Sequence, residues 1–189
     1  MNNINSCYNV CMIKNIENNL REFVYGGMDG AVTTFAIVTG AAGANLDSSV
    51  ILILGFANVF ADGFSMAVGS YLSEKSDQDL SDSKGHTNKE DHRSPLTASV
   101  ATFISFILVG FIPLSVHTID YIFGLNLGAS VALTGSVLVT LLAFIGIGFL
   151  RGVITKISRS RAVLESFGLG LTAAIISYGV GNLLERIIN

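Results

Sequence analysis

Five stretches of the chain, at about 22–44, 50–72, 96–117, 128–150 and 162–188, keep apolar residues in nearly unbroken runs. Each is close to the ~20 residues that an α-helix needs to cross a bilayer. Between the first two lies only NLDSS, too short for anything but a tight turn, so the second span returns antiparallel beside the first. Residues 73–95, SEKSDQDLSDSKGHTNKEDHRSP, are charged, poor in apolar side chains and end on a helix-breaking proline, which predicts a polar linker in water. The third span contains Gly110 and Pro113, where a kink is tolerable if neighbouring helices or water take up the freed carbonyl. Residues 118–127 read as a short loop, and RGVITKISRSR joins the fourth span to the fifth. Residues 1–21 are rich in Asn and lack periodicity; they predict a disordered or loosely helical tail, retained because it has no signal-peptide core. The pattern as a whole predicts an all-α integral membrane protein: a tail (1–21), then one domain (22–189) of five transmembrane helices with the polar linker 73–95 inside it.

Composition agrees with that pattern. Half of the residues are hydrophobic, 13% are charged and there is no Trp, a membrane composition rather than a soluble one. Charge adds an orientation. Lys14 and Arg21 precede the first span, Lys75, Lys84, Lys89 and Arg93 lie between the second and third, and Arg151, Lys156, Arg159 and Arg161 lie between the fourth and fifth. Of the 11 basic residues only Arg186 falls on the other side, so the positive-inside rule puts the N-terminus in the cytoplasm. No basic patch suggests nucleic acid. Cys7 and Cys11, the only cysteines, sit in the polar tail and do not form a disulfide framework.

Two carboxylates need explaining, because an acid inside a bilayer is costly and therefore a site hypothesis by default. Asp29 lies in YGGMDGAV, near the cytoplasmic end of the first span, among small and polar residues (Gly26, Thr33, Gly40, Ala44) spaced to share one helical face. Glu22 is seven residues earlier, so Glu22 and Asp29 make an acidic entrance leading inward. Asp62 lies near the middle of the second span, where snorkelling is hardest, with Asn58 one turn back and Met66 one turn on. A carboxylate, an amide oxygen and a thioether together suit Fe²⁺ or Mn²⁺ better than Mg²⁺ or Ca²⁺, which prefer oxygen alone. Buried acids that bind a metal or a proton, one excluding the other, supply a physical basis for antiport. Asp62 can also serve simply as a helix-packing acid, and Met66 as core filler. Weaker candidates are His86 and His92 among Glu74, Asp77, Asp79, Asp82, Glu90 and Asp91, for which a solvated linker is the plainer account. His117 reads as interfacial, and Glu165, four residues after Arg161, as its ion-pair partner. The glycines of the fourth and fifth spans read as tight helix packing.

The segments DGAVTTFAIVTGAAGA and ANVFADGFSMAVGSYLS resemble the vacuolar iron transporter family of plants, fungi and bacteria, and the five-span layout agrees with it over essentially the whole chain. The resemblance implies a homodimer whose first helices line a metal path at the two-fold interface, exporting Fe²⁺, and often Mn²⁺, from the cytosol in exchange for protons. It places pathway residues at Asp29 and Met66, with Asp62 and Glu22 at further family positions. Two departures stand out. Many members carry a Glu- and Met-rich cytoplasmic domain between the second and third spans, where this chain has only the 73–95 linker, and Ser70 occupies a position often acidic in the family. The expected function is a proton-coupled Fe²⁺/Mn²⁺ exporter and not an enzyme, with no permanently bound cofactor, metal ions and protons as cargo, and the lipid bilayer and a second copy of itself as partners. A bacterial plasma (inner) membrane is favoured over a vacuolar one. The competing readings are a non-transporting membrane scaffold and, remotely, an intramembrane aspartyl protease; the latter lacks YD and GxGD sequences, since Met28 precedes Asp29 and Ala61 precedes Asp62.

Overall fold

A computed structural model describes the backbone of residues 2–83 and 94–188, with side chains from Leu20 onward. The described chain is all helical: α1 (Asn2–Gly43), α2 (Ser48–Ser83), α3 (Pro95–Gly110), α4 (Ser115–Phe123), α5 (Ala129–Ile154) and α6 (Arg159–Ile188). The turn between α1 and α2 is as tight as NLDSS requires. Asn45 takes a left-handed φ of 53°, a conformation that Asn tolerates, and Leu46 N–H closes back on the Ala41 carbonyl at 3.0 Å.

Several boundaries differ from the sequence expectation. The backbone of α1 is helical from Asn2, so the tail joins the first span without a break. Likewise α2 continues to Ser83, and the first half of the polar linker is a helix that carries the α2 face out of the apolar zone. The remaining linker residues 84–93, with His86, His92, Glu90 and Asp91, lie outside the described residues, as do the side chains of Cys7, Cys11 and Lys14. Gly110 and Pro113 do more than kink the third span: α3 and α4 meet at 60° across the turn 111–114. Pro113 has no N–H to extend α3, and Ser115 Oγ donates instead to the Ile112 carbonyl at 2.7 Å. Most of the expected 118–127 loop is therefore helix α4, ended by Gly124 at φ 59° and by Asp120, whose Oδ1 accepts from Leu127 N–H at 2.9 Å.

By length and hydropathy α2, α5 and α6 each suffice to cross a membrane, and α3 with α4 makes a fourth, broken crossing. The count is thus three to four among the described residues, short of the five expected. α1 misses the measure because Gly, Thr and Asp dilute its apolar half. Its position explains why that is tolerated. α1 packs against α2, α3, α5 and α6, so protein covers much of its surface.

Close packing depends on small residues, as expected when helices associate in lipid by van der Waals contact. A Cβ on Gly30 would stand 2.5 Å from the Phe106 carbonyl of α3, and one on Gly148 2.7 Å from the Cα of Val163 in α6. The core around α1 has two parts. One gathers Ala31, Phe35, Val109, Phe144 and Ile147, with Phe35 edge-on to Phe144 at 6.1 Å; the other gathers Val38, Ala41, Ile51, Val59 and Leu114. The glycines of α1 do not share one face with Asp29: Gly26 and Gly30 meet α3, Gly40 and Gly43 meet α6, and Asp29 is half-exposed between them. A helix packed against four others has several contact faces rather than one. His117, expected at the interface, is buried at 1% exposure because the α3–α4 bend turns it inward, and neither ring nitrogen has a partner among the described residues. Glu165 pairs with Arg151 of α5 at 3.1 Å rather than with Arg161, since the α5–α6 hairpin brings Arg151 alongside it.

Candidate functional site

α1 and α2 flank a cavity of about 560 Å³, lined among the described residues by these two helices alone. From α1 come Arg21, Glu22 and Tyr25; from α2 come Ser65, Met66, Gly69, Ser70, Ser73, Glu74 and Asp77. Because α2 is unbroken to Ser83, Met66, Ser70, Ser73 and Asp77 recur at helical spacing along one face, from the apolar interior to the charged end. Glu22 and Met66, chosen from sequence on different grounds, share this cavity. Thr102 of α3 holds Glu22: its Oγ1 lies 3.0 Å from Glu22 Oε2 and 2.9 Å from the Ala98 carbonyl, so one proton is shared between two acceptors. Ser70 Oγ stands 3.4 Å from the same hydroxyl, and Ser105 Oγ reaches the Glu22 carbonyl at 3.4 Å.

Asp29 is not in that cavity. It lines a neighbouring groove of about 430 Å³ between α1 and α6, with Met28, Val32, Leu169, Thr172 and Ile176. Tyr25, 61% exposed, belongs to both and stands between Glu22 and Asp29. Asp62 is half-buried on α2. Asn58, one turn further in, buries its Nδ2 without a hydrogen-bond partner among the described residues. The five residues therefore fall into a cavity pair, Glu22 with Met66, two acids outside that lining, Asp29 and Asp62, and an unsatisfied amide. No three His, Cys, Asp or Glu among the described residues converge into a ready-made metal cluster.

Sequence reasoning missed Tyr25, Thr102, Glu74 and Asp77 as parts of the site. Glu74 and Asp77 lie 8 and 11 residues beyond Met66, so continuing the α2 period past Leu72 finds them. Thr102 comes from the far side of the linker, and no local pattern points to it. Arg21 and Asp77 line one cavity and Arg21 and Arg151 another, which gathers Arg21 of α1 with the charged ends of α2 and α5.

The family model described as the VIT family matches residues 20–90 and 80–182. Vacuolar iron transporter homolog 4 of Arabidopsis thaliana is 29% identical over 171 residues, covering 87% of this chain and 83% of that protein. Vacuolar iron transporter of Toxoplasma gondii is 24% identical over 228 residues, covering 89% and 75%. Over a shorter stretch of 60 residues, 32% of this chain and 24% of that protein, identity to Vacuolar iron transporter 1 of Tulipa gesneriana reaches 43%. These relatives are named as transporters and for the vacuole, so the expectation of a bacterial plasma (inner) membrane draws no support from them. Membrane-crossing helices and a family match running from residue 20 to residue 182 agree: this integral membrane protein belongs to the VIT family.

Proposed function

We propose that the protein is a proton-coupled exporter of divalent metal, Fe²⁺ and also Mn²⁺, from the cytosol. The observation that carries this reading is the α1–α2 cavity, which runs from a charged mouth of Arg21, Glu74 and Asp77 to Glu22 and the Met66 thioether. The hard carboxylate and the soft sulfur suit a borderline cation. Asp29 and Asp62 lie deeper, and each carboxylate in an apolar setting needs either a proton or a cation to offset its charge. Alternation between those two counterions gives exchange. The relatives named as iron transporters support iron as cargo.

On this reading α1 is the fifth crossing, the N-terminus is cytoplasmic, and two copies meet so that Glu22, Asp29 and Met66 from each surround one path. A dimer answers the incomplete ligand set of a single chain, in which no three strong ligands converge among the described residues. Ser70 leaves the wall of the cavity with a hydroxyl, and the family's cytoplasmic metal-binding domain has no counterpart in the 73–95 segment.

The test is metal uptake into proteoliposomes with and without an opposing pH gradient. Wild type is expected to accumulate Fe²⁺ and Mn²⁺ only with the gradient, and Asp29→Ala and Met66→Ala to abolish uptake while keeping the helical spectrum of the wild type. Undiminished uptake by both variants overturns the proposal, and a wild type that neither accumulates metal nor binds it saturably in calorimetry favours a non-transporting scaffold.

A further inference from the structure

A second charged region lies on the α5–α6 hairpin, apart from the α1–α2 cavity. The end of α5, the turn and the start of α6 carry Arg151, Lys156, Arg159 and Arg161. Glu165, the one acid nearby in sequence, is engaged with Arg151 at 3.1 Å, which leaves Lys156, Arg159 and Arg161 without a carboxylate among the described residues. Beside them α5 and α6 form an open groove of about 490 Å³. Ile145, Phe149, Val163, Leu164 and Phe167 wall it, and Arg159 and Ser160 stand at its loop end. The Arg159 guanidinium lies over the Phe149 ring, 5.1 Å from its centroid, which stations a cation where the apolar slot meets the polar turn.

We propose that this groove binds one anionic phospholipid, its acyl chain along the α5–α6 slot and its phosphate against Arg159, with Lys156 and Arg161 adding to the field. Charge and shape select this occupant together. A free phosphate has no use for an apolar slot, and a zwitterionic lipid brings no net charge to a hairpin whose three free cations face no carboxylate among the described residues. Arg is suited to the phosphate because its fork engages two oxygens at once. The site is independent of the transport reading, since it contains none of the residues assigned to the metal path.

Native mass spectrometry of the full chain in detergent tests it, titrated with phosphatidylglycerol, phosphatidylcholine or acyl-free glycerophosphoglycerol. One tightly retained phosphatidylglycerol per chain is expected, with phosphatidylcholine weaker and glycerophosphoglycerol not retained. At roughly a fivefold loss per basic residue, Arg159→Gln and Lys156→Gln each weaken retention measurably. Leu164→Asp, which puts a carboxylate on the lipid-facing wall of the slot, also releases the lipid, provided that it keeps the helical spectrum of the wild type. Arg186→Gln, at the other end of α6, leaves retention unchanged. The proposal is overturned if the two lipids bind equally, if glycerophosphoglycerol binds as well as the lipid, if Arg186→Gln weakens binding as much as Arg159→Gln, or if the hairpin variants retain lipid like wild type.

Discussion

The two sides of α1 are built on opposite principles. Toward α3 the helices touch at backbone distance: Gly30 approaches Phe106 so closely that a Cβ would stand 2.5 Å from its carbonyl, and Gly110 of α3 returns the contact, its own would-be Cβ 3.2 Å from the Gly30 carbonyl. Toward α2, over the charged end, the helices part around a cavity of about 560 Å³ lined by Glu22, Met66 and serines. At Gly69, on the cavity wall, an added Cβ would meet nothing within 4 Å. Residues of one type thus serve contrary ends on the two sides: at Gly30 the missing side chain lets helices meet, and at Gly69 it leaves room. A polar path inside a membrane needs both, because the side that must stay open can keep its shape only if the other is fixed.

Filling the closed side should have the largest effect. Gly30→Val forces α3 away, because the obstacle is backbone and cannot rotate aside. We expect a loss of about 3 kcal/mol or more, from overpacking against a rigid neighbour, seen as a lowered thermal unfolding midpoint in detergent. A midpoint within error of wild type would mean that this contact does not fix α1. Thr102→Val is a gentler probe, since it keeps volume and removes the hydroxyl shared by Glu22 and Ala98. It should cost about 1 kcal/mol and weaken metal binding several-fold by releasing the Glu22 carboxylate, which isothermal titration with Mn²⁺ would read. Unchanged Mn²⁺ affinity would show that Glu22 needs no anchor on α3. Gly69→Ala should be the mildest, raising stability by up to about 1 kcal/mol through helix propensity while leaving the cavity open. A destabilised Gly69→Ala would show that the wall is tighter than its geometry indicates.

The charged end of α2 shows why part of this site was hard to read in the chain. Apolar periodicity locates a helix while it is in oil, and past Leu72 that signal stops although the helix does not. Glu74 and Asp77 therefore read as linker acids, whereas the unbroken helix sets them above Met66 on the cavity wall. The third span failed in the other direction. Its composition is apolar throughout, yet Pro113 and Gly110 divide it into two helices at 60°, and the bend carries His117 from an expected interface into the interior. Glu165 was assigned to Arg161 by helical spacing, but an antiparallel hairpin offers Arg151 as well, and spacing within one helix is silent about partners on another.

By itself the sequence determined the all-helical membrane character, the tight α1–α2 return and the residues worth testing. Those follow from local quantities: run length, turn chemistry at Asn45, and the cost of an acid in oil. Only the tertiary structure decided that Glu22 and Met66 share a cavity, that Asp29 lines a separate groove against α6, and that α1, diluted by Gly, Thr and Asp, packs against four other helices. The reason is that helical spacing fixes which side chains share a face, while the neighbour that face meets is set by packing between segments distant in the chain, here by small residues such as Gly30 and Gly110 that admit one helix against another.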